Sequence, residues 1–191
     1  MPFTLELGAA AADFDLPGVD GANHRLTEYA SALVVIFTCN HCPYAIGSED
    51  RIMALHDDYA ARGVRLVAIS SNETIGHPTD SFEHMVTRAK EKNFPFDYLF
   101  DESQDVARAY GALRTPHFFL FDGDGALVYT GRMDDNPRDA AAATTHELRD
   151  AIDAVLSGAT IAEPLTNPLG CNVKWKHQDA YWMPPEACDL I

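Results

Sequence analysis

In Phe37-Thr38-Cys39-Asn40-His41-Cys42-Pro43-Tyr44, two cysteines stand where an apolar, β-branched run gives way to a polar, helix-forming one. Ala32 to Phe37 predicts a fully buried central strand, and the segment to Arg62 predicts a helix. Pro43 suits the first helical position, because its missing N–H and preset φ cost nothing there, so Cys42 falls at the N-cap. Free backbone N–H groups and the positive end of the helix dipole favour a thiolate over a thiol at that place. Cys-x-x-Cys at a strand-to-helix junction, inside an alternating β/α pattern, predicts a redox-active dithiol.

Working outward, Gly63 ends the helix and Val64 to Ser70 is a second buried strand, which implies parallel pairing and a right-handed crossover. The loop Ser71 to Thr79 then lies on the same sheet edge as the cysteines, where open α/β sheets bind ligands. Phe82, Met85, Val86 and Ala89 have helical spacing, and Phe96 to Phe100 reads as a short strand or extension. Ser103 is placed to cap a helix carrying Val106, Ala107 and Tyr110. His117 to Phe121 and Leu127 to Tyr129 flank the turn Asp122-Gly123-Asp124-Gly125 as an antiparallel hairpin. Thr144 and Glu147 form a capping box before Leu148, Ala151, Ile152, Val155 and Leu156, and Gly158 stops that helix. At the start, Asp13 to Leu26 reads as a hairpin with Phe14, Leu16 and Leu26 turned inward.

A chain of 191 residues buries a core without staples, so one α/β domain over residues 1–158 is expected, with an irregular tail over 159–191 packed on it. The cysteines are therefore free for chemistry. Four of them, only two closely spaced, do not make the dense framework of a small secreted protein. Met1 to Glu6 has neither a basic region nor an apolar run, and no stretch approaches membrane-spanning length. A cytoplasmic, reducing location is the expectation. The formal charge of −15 opposes the phosphate attraction on which nucleic-acid and anionic-membrane binding depend, so neither is expected as a partner.

The pieces together resemble the thioredoxin fold in its peroxiredoxin-like, AhpC/TSA-related branch: a central mixed sheet flanked by helices, with an N-terminal hairpin extension. Ala12-Asp13-Phe14-Asp15-Leu16 resembles the entry motif of that branch, Cys39-Asn40-His41-Cys42 stands at the active-site position, and Thr115-Pro116 stands before the hairpin. Ser71-Asn72, Arg132-Met133-Asp134-Asp135 and Gly170-Cys171-Asn172-Val173-Lys174-Trp175-Lys176 complete a joint pattern similar to a cytosolic group within it. The resemblance implies a cis peptide before Pro116, which residue chemistry alone would make trans. It also implies that Thr115 offers its backbone to an extended substrate. Two departures bear on the reaction. Where a peroxiredoxin carries the threonine before its peroxidatic cysteine this chain has Cys39, and Arg114 and Arg132 stand off the position of the peroxide-activating arginine.

Cys39 and Cys42 are thus expected to exchange disulfides, one sulfur attacking and the other resolving. Half of a zinc site, with His41, Cys171 and Cys188 as further ligands, and inert buried thiols are the bland alternatives. No metal and no cofactor are expected. The position at the dipole favours Cys42 as the low-pKa thiol, while the resemblance to thioredoxin makes Cys39 the exposed attacker. His41 could add charge or a hydrogen bond to the thiolate. Cys171 becomes a second resolving thiol if the tail wraps back to Cys42, and Cys188 is incidental. Thr115, Pro116, His41 and Asn72 are the expected substrate-binding residues. The leading function is a thiol–disulfide oxidoreductase acting on disulfides of proteins or small molecules and reduced by another dithiol system. A thiol peroxidase with Cys42 peroxidatic and Cys39 or Cys171 resolving, and a redox-sensing module, are the competing readings.

Overall fold

The computed structural model describes residues 3–26 and 31–187, so the expectation for Cys188 lies outside the described residues. In chain order the elements are β1 (Asp15–Pro17), β2 (Asn23–Arg25), β3 (Ala32–Thr38), α1 (Pro43–Tyr59), β4 (Val64–Ser70), α2 (Phe82–Lys92) and β5 (Asp97–Phe100). They continue with α3 (Asp105–Tyr110), β6 (Arg114–Thr115), β7 (His117–Asp122), β8 (Leu127–Gly131), α4 (Glu147–Ser157) and β9 (Cys171–Asn172). Five strands form one mixed sheet in the order β5-β4-β3-β7-β8. β5, β4 and β3 run parallel, β7 is antiparallel to β3, and β8 is antiparallel to β7. β1 and β2 make the N-terminal hairpin, and β6 pairs with β9 apart from the main sheet.

The continuous apolar run of β3 follows from its central position, because both of its faces are covered. Ala32, Val34 and Ile36 face Ile52, Leu55 and Tyr59 of α1, Met85 and Ala89 of α2, and Leu148 and Ile152 of α4. Leu33, Val35 and Phe37 face the opposite layer, built from Phe14, Leu16, α3 and the tail residues Val173 and Trp175. Each such side chain contributes roughly 1.5–3 kcal/mol on burial, which is why alternating residues of one strand hold two layers together. The register pairs Thr38 with Ser70, so β3 and β4 end level and the loop after β4 emerges beside the cysteines.

Two local expectations give way to tertiary contacts. The Thr144–Glu147 capping box does not form: Thr144 bonds Asp135 through its hydroxyl and its N–H, and the N-cap position is His146, without a side-chain cap. Glu147 is held instead by the Arg132 guanidinium, which outweighs a neutral cap because both partners are charged. At α3 the N-cap position is Gln104, while Ser103 Oγ accepts the N–H of Asp105 and Asp101 accepts that of Ala107. Of the residues with helical spacing in α2, Val86 is 37% exposed, whereas Met85 and Ala89 are buried. The tail is not wholly irregular: Leu165 bridges to Thr130, β9 pairs with β6, and Trp175 is buried at 2% exposure.

Candidate active site

Cys42 occupies the N-cap of α1 with extended backbone angles, Pro43 begins the helix, and the Cys42 carbonyl accepts the N–H of Ile46 at 2.9 Å. Its sulfur therefore lies at the positive end of a 17-residue helix. Cys39, Cys42 and Ala45 form a small buried cluster against which Tyr44 and Cys171 pack. Cys39 and Cys42 are 2% and 0% exposed, and Cys171 is half-buried.

The three sulfurs do not share their charge equally. A hydrogen bond from Cys39 pulls the Cys42 thiol down to about 4 against the cost of burial, helped by Cys171 and by the backbone N–H groups of Ala45 and Cys171. Burial, then the neighbouring Cys42, push Cys39 well above the ordinary thiol value. Burial and Cys42 likewise push Cys171 up to about 11. The lowered value falls on the sulfur at the helix N-terminus and the raised ones on its two neighbours, so Cys42 loses its proton before Cys39 or Cys171.

Thr115 closes the site from the other side. Its Oγ1 accepts from Cys39 Sγ at 3.4 Å, and its carbonyl lies 3.1 Å from Cys42 Sγ, where it accepts from that sulfur in its thiol form. The Thr115-Pro116 peptide is cis, as the resemblance implied. The backbone of Thr115 is not open to a substrate strand, however, because it is already paired with Cys171.

His41 sends its Nδ1–H to Asp80 at 2.6 Å rather than to a sulfur, and its ring stacks on His77 with centroids 4.8 Å apart. The Asp80 bond raises the His41 pKa, so its charge acts on Cys42 through space. Asp80 is fully buried and also accepts the N–H of Asn40 and the amide of Asn72, each at 2.8 Å. Asn72, expected at the rim, is 3% exposed and joins Asp80 to the tail by accepting the N–H of Lys174 at 2.8 Å. It positions the loop and the tail instead of facing a ligand. Sulfur of Cys39, a ring nitrogen of His41 and a carboxylate oxygen of Asp80 lie within 4.8 Å of one another. Three donors are one short of a closed structural zinc sphere, and Asp80 already accepts three hydrogen bonds.

Asp80 and Gln104 are the residues that sequence reasoning missed. Asp80 precedes the periodic run of α2 and reads there as a solvated helix start; nothing local shows that it turns inward. Asp80→Asn is expected to lower the His41 pKa and to destabilise the fold by about 2 kcal/mol near pH 5, since it removes the charged acceptor of a part-buried hydrogen bond. The Asp80 pKa is lowered from 3.8 and the His41 pKa is raised from 6.5, so the pair stabilises most between those values. Its contribution fades as pH falls through the Asp80 pKa or rises through that of His41. Urea unfolding at pH 5 and pH 8 with NMR titration of His41 measures both, and an equal loss at the two pH values would contradict the pairing.

The arginines weighed as peroxide activators are engaged by other side chains. Arg114 donates to Asn172 at 2.5 Å, and Arg132 is held by Glu147.

Known proteins bear on this arrangement. The chain is 28% identical over 132 residues to the thiol-disulfide oxidoreductase ResA of Geobacillus thermodenitrificans (strain NG80-2), covering 68% of this chain and 72% of that protein. An uncharacterized conserved protein from Geobacillus kaustophilus superposes with a TM-score of 0.85 at 40% identity, over 91% of this chain and 94% of the other. A putative thiol:disulfide interchange protein DsbE from Chlorobium tepidum superposes with a TM-score of 0.65 at 24% identity, over 80% and 99% of the two chains. At that identity the likeness speaks for the fold, which is thioredoxin-like. The strand, the cysteine pair and the Thr115-Pro116 turn all fall within residues 7–130, which match the AhpC/TSA family model, and the chain belongs to that family.

Proposed function

We propose that the protein is a thiol–disulfide oxidoreductase whose working pair is Cys39 and Cys42. The observation that carries this reading is Cys42 at the N-cap of α1 with Cys39 packed beside it in one buried cluster. Cys42 attacks one sulfur of a substrate disulfide, forming a mixed disulfide and releasing the other sulfur as a thiolate. Cys42 is then uncharged, so the part of the Cys39 shift that comes from Cys42 is removed and Cys39 loses its proton more easily. Cys39 attacks Cys42, the substrate's remaining sulfur leaves reduced, and a Cys39–Cys42 disulfide remains. An external dithiol system returns the pair to its reduced state. The cytoplasm, expected from the cysteine usage, supplies such systems. The named function of ResA supports thiol exchange over peroxide chemistry, as do the hydrogen bonds that hold the guanidinium groups of Arg114 and Arg132 on Asn172 and Glu147.

The test measures reduction of a disulfide substrate and consumption of hydrogen peroxide side by side. Disulfide reduction that outpaces peroxide consumption is the expected result. Rapid sulfenic acid formation at Cys42 without disulfide reduction would replace this reading by a thiol peroxidase. Redox-dependent tail mobility with no turnover on either substrate would replace it by a sensor.

A further inference from the structure

β6 is two residues long, stands outside the main sheet and borders both sulfurs of the pair. A strand edge beside a nucleophilic sulfur is where an extended chain adds by β-augmentation, held by main-chain hydrogen bonds and specified by its alternate side chains. Here the protein's own tail fills that place. β9 runs antiparallel to β6 with Cys171 opposite Thr115, and the side chain it brings against Cys42 is a cysteine.

The fit is close. A Cβ on Gly170 would stand 2.2 Å from the Thr115 carbonyl oxygen, so the strand reaches this position only because residue 170 has no side chain. Beyond β9 the tail is pinned by Lys174 N–H on Asn72 and by Gln104, whose amide donates to the Lys174 carbonyl at 2.8 Å while its oxygen accepts from Lys176 N–H. Val173 and Trp175 anchor it in the core. Cys42 has no exposed surface, and Cys171 is the member of the trio that solvent reaches most.

We infer that β9 is an internal substrate strand that closes the Thr115 edge to extended polypeptides, and that Cys171 passes the disulfide between the buried Cys39–Cys42 pair and small external thiols and disulfides. The inference rests on the dithiol reading and names the substrate class of that site. In the oxidised protein the Cys171 thiol gives up its proton and its sulfur attacks Cys42. The Cys42–Cys171 bond forms as the Cys39–Cys42 bond breaks, and the electron pair leaves on Cys39, which takes up a proton. This step exchanges partners without net oxidation. An external small thiol, as thiolate, then attacks Cys171 and releases the Cys42 thiolate. A second small thiol frees Cys171, so two thiols become one small disulfide while one protein disulfide is reduced. Reduction of a small disulfide follows the same steps in reverse. The charges favour the sequence: with Cys42 in a disulfide, its effect on Cys171 disappears, while Lys174 and Arg114 still pull the Cys171 pKa down.

The test uses the full-length protein in glutathione buffers, with disulfides mapped by mass spectrometry after acid quenching. Cys39→Ser is expected to hold a Cys42–Cys171 disulfide in about nine molecules of ten, because the intramolecular thiol outcompetes glutathione. Accumulation of a Cys42–glutathione mixed disulfide with Cys171 free would overturn the inference. Gly170→Ala keeps every cysteine and pushes the strand off Thr115. It is expected to speed reduction of insulin about tenfold and to slow reduction of bis(2-hydroxyethyl) disulfide about tenfold. A shift of both rates in the same direction, or of neither, would overturn it. Should that variant not fold, Cys171→Ser supplies the comparison: the small-disulfide rate falls about tenfold, and an unchanged rate overturns the inference. Failure of the dithiol reading looks different, because wild-type protein would then reduce neither substrate, whereas the crosslink in Cys39→Ser is read without turnover.

Discussion

Cys42→Ser is expected to lower disulfide reduction by about 10³-fold or more, because an alcohol cannot replace a preformed thiolate as the nucleophile. The substitution is close to isosteric, and serine is itself a favoured N-cap residue, so α1 keeps its start. Loss of the reaction in a folded variant therefore reports the missing sulfur and not a broken helix. Turnover of insulin or of a small disulfide by the purified variant, with far-UV circular dichroism to show that the helices persist, is the measurement. Retention of more than about a tenth of the wild-type rate would move the nucleophile to Cys39.

The second large effect is on pH. Thiolate absorbance at 240 nm in the reduced protein is expected to rise with a midpoint of about 4 and to vanish in Cys42→Ser. The Cys42 pKa is lowered in the folded state from 9.0, so fewer protons are bound there than in the unfolded chain between about 4 and 9. Stability of the reduced form accordingly increases with pH across that window, is complete above 9.0, and is lost as pH falls toward 4. The oxidised form has no such proton to release and lacks this slope. Urea midpoints of the two redox forms at pH 4, 6 and 8 give the comparison, and a 240 nm midpoint above pH 7 would refute the charge assignment. Because a stabilised thiolate favours the reduced pair, the disulfide should also be more oxidising than the roughly −270 mV of thioredoxin.

These effects arise at a place that is local in the chain, which is why much of it is legible there. The apolar run into β3, the proline that begins α1 and the cysteine just before it lie within a dozen residues, and their consequences are governed by periodicity and helix termini. The hairpin of β7 and β8 and the end of α4 at Gly158 follow from equally short-range turn and cap chemistry. The capping box expected at Thr144 and Glu147 shows the limit. Its spacing is right, but Asp135 and Arg132 offer those side chains stronger, charged partners from elsewhere in the fold.

A cysteine pair at a strand-to-helix junction of an α/β domain is readable from the chain alone, because backbone propensity and capping act over a few residues. What surrounds the pair comes from folding. The Thr115 carbonyl reaches Cys42 across 73 residues, Asp80 reaches His41 across 39, and Asn72 reaches Lys174 across 102. No pattern along the chain records such distances, since they depend on how the sheet orders its strands and on where the tail finds a free edge. That ordering sets a third sulfur beside the pair of a common motif, with the chain's own strand lying across them.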